Sequence, residues 1–532
     1  MKMVKSLILG SAAALVAMSG AQAADLPVKA KAVEYVRICS LYGAGFFYIP
    51  GTDTCIKLGG YLRVDTTLGG GNMYGQPAYS GDSGQRNRYW DTIDSRSRMA
   101  LTIDTRTATE YGVVRTFGQG DFQFQNFTTA NPTVLTAPGV NSALLSSAGG
   151  GYVAVEMVFI QFAGFTFGKS ASAYATPWHG YPGNNNSFLM GGHDTVTGVN
   201  NIQYTAQFGN GVSGTIGLDE PTVFNRTSVF NLGVPTPIST TGTGTNAYGG
   251  THAPDIVGNI RVDQAWGLFQ ISAAAHLVNA SYNTLGAGGV PTNASELSGH
   301  PDDKWGGSVM AALQIKNLPT GAGDDFKIDV SYAKGDTKNV ISTSGGSPSF
   351  AMFGGTGVAG AYQSIGLGVT SDGVYLPGAG GTNGIILTQA WGVRGAFNHN
   401  WDPYWSTSLW GSYSSVRYDG NTNDNLTAVG TTSAKGAYCA AFAATHAGQA
   451  AVANNAGNYT CNPDFNIAQV GVVTRWTPVK NLTFSAEVGA FFLDQKHTGT
   501  TTLTPAAPKP TALYEFRDQS TVFLNVRAQR NF

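Results

Sequence analysis

Charge is what this sequence has least of. Only 12% of its 532 residues are Asp, Glu, Lys or Arg, against a usual share of about 25%. The net charge is −1, which excludes the basic footprint of a nucleic-acid binder. Long apolar runs are also missing. Beyond the first residues, no stretch reaches the length of a membrane-spanning helix. Cysteine is scarce, with four residues and no C-x2-C spacing, so a zinc site is not expected. Neither H-E-x-x-H nor G-x-S-x-G occurs. One G-x-G-x-x-G, at Gly355, Gly357 and Gly360, lies in a glycine-rich stretch with no flanking strand and helix, so it does not read as a phosphate cradle. No catalytic centre, cofactor or metal is expected.

What is present starts with a leader. Lys2 and Lys5 precede an apolar run of 15 residues, Ser6 to Gly20, and then the small-x-small triplet Ala21-Gln22-Ala23. This reads as a signal peptide over residues 1–23, removed on export. An exported chain makes disulfides the natural reading for the cysteines, as two local pairs, Cys39–Cys55 and Cys439–Cys461. Residues 24–55 then form a short N-terminal segment and 56–532 the main body.

That body is written in period two, the mark of strands with one apolar and one polar face. Leu58, Leu62, Val64 and Leu68 alternate with Lys57, Tyr61, Arg63 and Asp65. Met99, Leu101 and Ile103 alternate with Arg98, Thr102 and Asp104. Similar runs recur to the end, where Val522, Leu524, Val526 and Ala528 alternate with Phe523, Asn525, Arg527 and Gln529. Short connectors such as Gly209-Asn210-Gly211 alternate with long ones, at 69–97, 119–151, 170–199, 220–254, 278–304, 335–386, 416–465 and 495–518. Eight long loops alternating with short turns imply about 16 antiparallel strands closed into a transmembrane β-barrel. Low charge and glycine at 71 residues fit such a barrel. An exported β-sandwich is the soluble alternative. Phe532 ends the last strand and is the expected assembly signal.

A barrel of that size encloses an aqueous channel, so passive diffusion of small hydrophilic solutes and ions is the expected activity. A solute-specific channel of the same fold is the alternative. The third long loop, Ser170 to Asn200, is expected to fold inward and narrow the bore. It carries Tyr174, Trp178, His179, Tyr181 and Phe188, many aromatics for an external loop, and the acidic Asp194. Selectivity is expected from charges lining the bore. Basic candidates are Arg63, Arg98, Arg106, Arg115, Arg261, Arg394, Arg475 and Arg527, with Arg63, Arg98 and Arg115 placed as one patch on neighbouring strands. Acidic candidates are Asp65, Asp104, Asp263, Asp329 and Glu487.

Four stretches carry a resemblance: EYVRICSLYGAGFFYIPGTDTCIKLGGYLR at 34–63, FIQFAGFTFGKS at 159–170, DIVGNIRVDQAWG at 255–267 and the ending RAQRNF. Together they resemble the general porin family of alphaproteobacteria. The resemblance implies a trimeric, water-filled diffusion channel in the bacterial outer membrane, in contact with lipid and lipopolysaccharide, with an inward-folded loop at the place of Ser170 to Asn200. Residues 335–386 and 416–465 lie outside the motifs.

Overall fold

The computed structural model describes residues 37–69, 92–125, 151–193, 196–221, 225–235, 237–341, 349–378, 382–420, 433–447, 458–505 and 509–532. The leader expected over 1–23 and Asp194 lie outside the described residues.

Among these, sixteen strands form a closed antiparallel cylinder. In chain order they are β1 (Thr54–Gly69), β2 (Ile93–Thr109), β3 (Gly112–Gln125), β4 (Tyr152–Phe162), β5 (Phe165–Ser170), β6 (Val199–Gly209), β7 (Val212–Asp219) and β8 (Asp255–Gln264). There follow β9 (Gly267–Val278), β10 (Lys304–Lys316), β11 (Asp325–Lys334), β12 (Gln389–Asn400), β13 (Trp405–Arg417), β14 (Phe465–Val479), β15 (Leu482–Gln495) and β16 (Gln519–Asn531). Each strand pairs with the next, and β16 pairs back on β1, from Tyr61 opposite Asn531 to Gly69 opposite Phe523. Closure leaves no strand edge unpaired in hydrocarbon.

Short turns lie at one end. Asn210, Asn317 and Asn481 take positive φ there, of 49°, 55° and 68°, as tight reversals between right-twisted strands require. Glu110-Tyr111, and 317–324 between β10 and β11, are two further turns at this end and complete the alternation. Among the described residues, the long loops L3 (171–198), L4 (220–254), L5 (279–303), L6 (335–388), L7 (418–464) and L8 (496–518) share the other end.

The strand pattern decides which face meets lipid. On β16, Val522 and Val526 are 59% and 47% exposed, whereas Phe523 and Arg527 point inward at 3% and 8%. A β-sandwich would bury its apolar face; here that face is turned out. At the turn end, Trp266, Trp401 and Tyr404 are exposed, and Trp405 stacks on Trp476 at 5.8 Å. Trp305, Tyr332 and Trp391 are exposed near the loop end. Such aromatic belts sit at the two membrane–water boundaries.

The largest hydrophobic core is not in the wall but in the loops. Phe230 of L4, Ile341 and Phe350 of L6, Tyr438 and Phe442 of L7, and Tyr514 of L8 pack with Phe465 and Phe491 of β14 and β15. Short strands at 350–354, 363–368, 458–460, 498–503 and 512–516 form one small sheet, and strands at 229–231, 373–375 and 386–387 a second. Helix α1 (Ala434–Ala447) is tied to this roof by Cys439–Cys461. Cys39 and Cys55 are also bonded, burying Phe46 between them at the turn end. Segments 335–386 and 416–465, which read as irregular connectors, are thus folded. Their strands run only two to six residues, too short for alternation to show.

Candidate pore constriction

L3 folds into the bore, and its own side chains explain why. Tyr174 and Trp178 bury against Val257 of β8 and Met310 and Ala312 of β10. Its backbone carbonyls at Ala173 and Ala175 accept hydrogen bonds from Asn259 (2.6 Å) and Gln270 (2.8 Å) of the wall. The loop then crosses the lumen. The amides of Asn185 and Asn186 donate to the Glu487 carboxylate of β15 at 2.9 and 2.8 Å, and Arg527 of β16 donates to the Asn185 carbonyl at 3.0 Å. On the return limb, the Met190 amide donates to Gln469 (2.9 Å), and Arg394 donates to the carbonyls of Leu189 (3.2 Å) and His193 (2.7 Å). Thr197 closes the circuit on Glu156 of β4 at 2.6 Å. The approach to β11 and β12 is so tight that only glycine fits. A Cβ at Gly191 (φ +116°) would lie 2.8 Å from the Val393 carbonyl oxygen, and one at Gly192 would lie 2.1 Å from Asp329 Oδ1.

The loop leaves open a cavity of about 660 Å³ between itself and the wall formed by β1–β4 and β16. L3 contributes His179, Tyr181, Asn184, Asn185, Phe188 and Thr197; the wall contributes Arg63, Arg98, Gln119, Asp121, Glu156 and Arg527. Register assembles the charged side. Arg63 lies opposite Arg98, and Asp65 lies opposite both Arg96 and Arg527. Asp65 forms ion pairs with Arg96 and Arg527. Arg98 pairs with Asp121 at 2.6 Å and approaches Glu156 at 3.8 Å. Arg63 lies 4.4 Å over the Tyr61 ring and donates to the neutral Gln529 at 2.8 Å. The charged side chains lining the cavity are three guanidinium groups, Arg63, Arg98 and Arg527, and two carboxylates, Asp121 and Glu156, so among the described residues its lining carries one positive charge in excess. The described L3 residues facing them carry no carboxylate. A low-dielectric wall concentrates that excess on whatever enters. A second cavity, about 530 Å³, lies on the other side of L3 and is lined by Tyr181, Gly183, Lys316, Lys327, Asn398 and Arg475.

A family model described as "Porin subfamily" matches residues 25–524. The chain belongs to this porin family. Porin Omp2b of Brucella canis and of Brucella abortus (strain 2308) are each 37% identical to it over 269 residues, covering 50% of this chain and 63% of the relative. The matched part is therefore less than two thirds of the length of those curated relatives. The outer membrane channel DcaP of Acinetobacter baumannii has the same fold, with a TM-score of 0.53 at 13% identity over 91% of this chain and 99% of that one. As a member of this family, the chain is an outer-membrane β-barrel.

Knowing this, the residues singled out in the sequence sort into groups. Arg63, Arg98, His179 and Tyr181 border the porin's cavity between L3 and β1–β4. Arg115 does not join the patch expected with Arg63 and Arg98. It lies opposite Arg106, and the two share Asp104 at 3.0 and 3.1 Å. Arg106 is eight residues along β2 from Arg98, about 26 Å at 3.3 Å per residue. Arg261 and Asp263 pair at 2.9 Å near the turn end. Arg394, paired with Asp329 at 2.9 Å, and Glu487 are wholly buried beneath L3, so they hold the loop and do not line the opening. Arg475 lines the second cavity. Tyr174 and Trp178 pack behind L3, away from the opening. The backbone of Phe532 exchanges hydrogen bonds with Gly60 at 3.1 and 3.2 Å. Arg96, Asp121 and Glu156 went unnoticed in the sequence. Arg96 had a signal, since it stands two residues from Arg98 and therefore on the same face.

Proposed function

We propose that this porin conducts small hydrophilic solutes and ions passively across the outer membrane, through the space between L3 and the arginine-bearing wall of β1–β4 and β16. The observation that carries the reading is the placement of L3. It crosses the bore, yet packs on the wall so that a polar, charged cavity of about 660 Å³ stays open beside it. The excess positive charge there favours anions over cations of equal size. The same reading takes a second and third copy of the chain, outer-membrane lipid and lipopolysaccharide as partners. The experiment is insertion of purified protein into a planar bilayer, with step conductance and reversal potential recorded in a salt gradient. Openings in groups of three with an anion-side reversal potential are expected. A protein that inserts and never conducts would end the reading.

A solute-specific channel is the second reading, favoured by the folded roof of L4, L6, L7 and L8 over the mouth. It requires conductance that saturates with one class of solute.

A further inference from the structure

The wall does not hold L3 alone. A short 3-10 turn of L6, Thr337–Asn339, enters the lumen behind the loop's return limb, and Thr337, Lys338, Asn339, Val340 and Ile341 are all buried. The Gly191 amide of L3 donates to the Val340 carbonyl at 2.9 Å, a main-chain bond between the two loops. His193 Nδ1 lies 2.9 Å from Asn339 Oδ1 and 3.0 Å from Lys338 Nζ. One ring nitrogen serves one of these at a time: it donates to the amide oxygen or accepts from the ammonium.

The turn is in turn fixed from outside the loop it touches. Lys338 Nζ donates to Asn225 of L4 at 2.6 Å. Asn339 Nδ2 donates to Ser308 of β10 and to Asp336, each at 2.8 Å. Asp372 of L6 accepts from the amides of Thr337 (2.8 Å) and Thr227 (3.0 Å). The roof loops and the constriction loop therefore share one buried hydrogen-bonded network.

We infer that Lys338 and Asn339 are positioning residues for the constriction: this L6 turn sets the aperture by holding the return limb of L3 against β11 and β12. The inference rests on the reading of the protein as a channel and adds that the aperture is set jointly by an external loop. Without the turn, the limb keeps its Arg394 bonds but loses its clamp on the other side, and the cavity beside it changes width.

The test uses the full-length protein with Lys338→Met and Asn339→Ala, the second being the milder change because Asp336 still accepts from Ser308 at 2.6 Å. Folding is checked by the shift in electrophoretic mobility on heating. Aperture is read by step conductance and by liposome-swelling rates with sugars of increasing size. A conductance change of at least about one third with a displaced sugar cut-off, in a variant folded as the native protein is, supports the inference. Native conductance and cut-off in either folded variant overturns it. Failure of both variants to assemble also overturns it, since the turn would then hold the barrel and not the aperture. A native protein that does not conduct would instead remove the channel reading itself.

Discussion

Glu487→Ala asks whether one wall carboxylate keeps L3 across the bore. Glu487 is fully buried and accepts two loop amides, from Asn185 and Asn186, at 2.9 and 2.8 Å. Hydrogen bonds to a charged group are worth roughly 1.5–3 kcal/mol each. Asn185 borders the open cavity, so water recovers part of the loss at that amide. A net cost of about 3 kcal/mol follows, which raises the population of released loop about 100-fold at about 1.4 kcal/mol per tenfold. Glu487→Gln keeps one good acceptor and costs about half as much. The assay is single-channel recording at fixed voltage, paired with amide exchange at Asn185 and Asn186. The expected result is graded, with open-channel noise and exchange rising from native to Gln to Ala. A folded Ala variant with native noise and native exchange would show that the crossing is held elsewhere, and the argument from these two bonds would fail.

Other consequences separate residues that look alike in the sequence. Neutralising Arg63 (Arg63→Gln) removes the excess charge of the opening and moves the reversal potential toward cations, whereas Arg115→Gln, outside the lining of the opening, moves it much less; equal shifts would refute the placement. Arg394→Met breaks its buried ion pair with Asp329 and costs about 3–5 kcal/mol, seen as earlier thermal unfolding. His497 of L8 sits among Phe442 and Phe516, and among the described residues both its ring nitrogens are unpartnered; burial, then nearby His446, hold its pKa down at about 3. Its folded value lies below the unfolded one of about 6.5, so the unfolded roof binds the extra proton and stability falls as pH drops below about 6.5. At pH 5 the loss is about 2 kcal/mol at 1.36 kcal/mol per unit. Proteolysis of the roof loops should accelerate in acid in the native protein but less in His497→Leu.

The division between sequence and tertiary structure follows from the range of the forces. Period-two alternation is local: each of Val522, Val526 and Leu62 declares its face through its neighbours alone, so strand count, loop alternation and lipid-facing surface are readable from the chain. The aromatics of L3 likewise announce a loop with something to bury. Pairing across the bore is not local. Whether an arginine lines water or anchors a loop depends on what lies opposite, and Arg394 and Arg63 read identically until L3 is seen to cover one and leave the other beside the opening. The roof is the extreme case, where Gln363 to Ile365 pair in parallel with Tyr514 to Phe516. No periodicity marks those short strands, because their stability comes from a shared core of side chains from four loops, and only the folded chain brings these together.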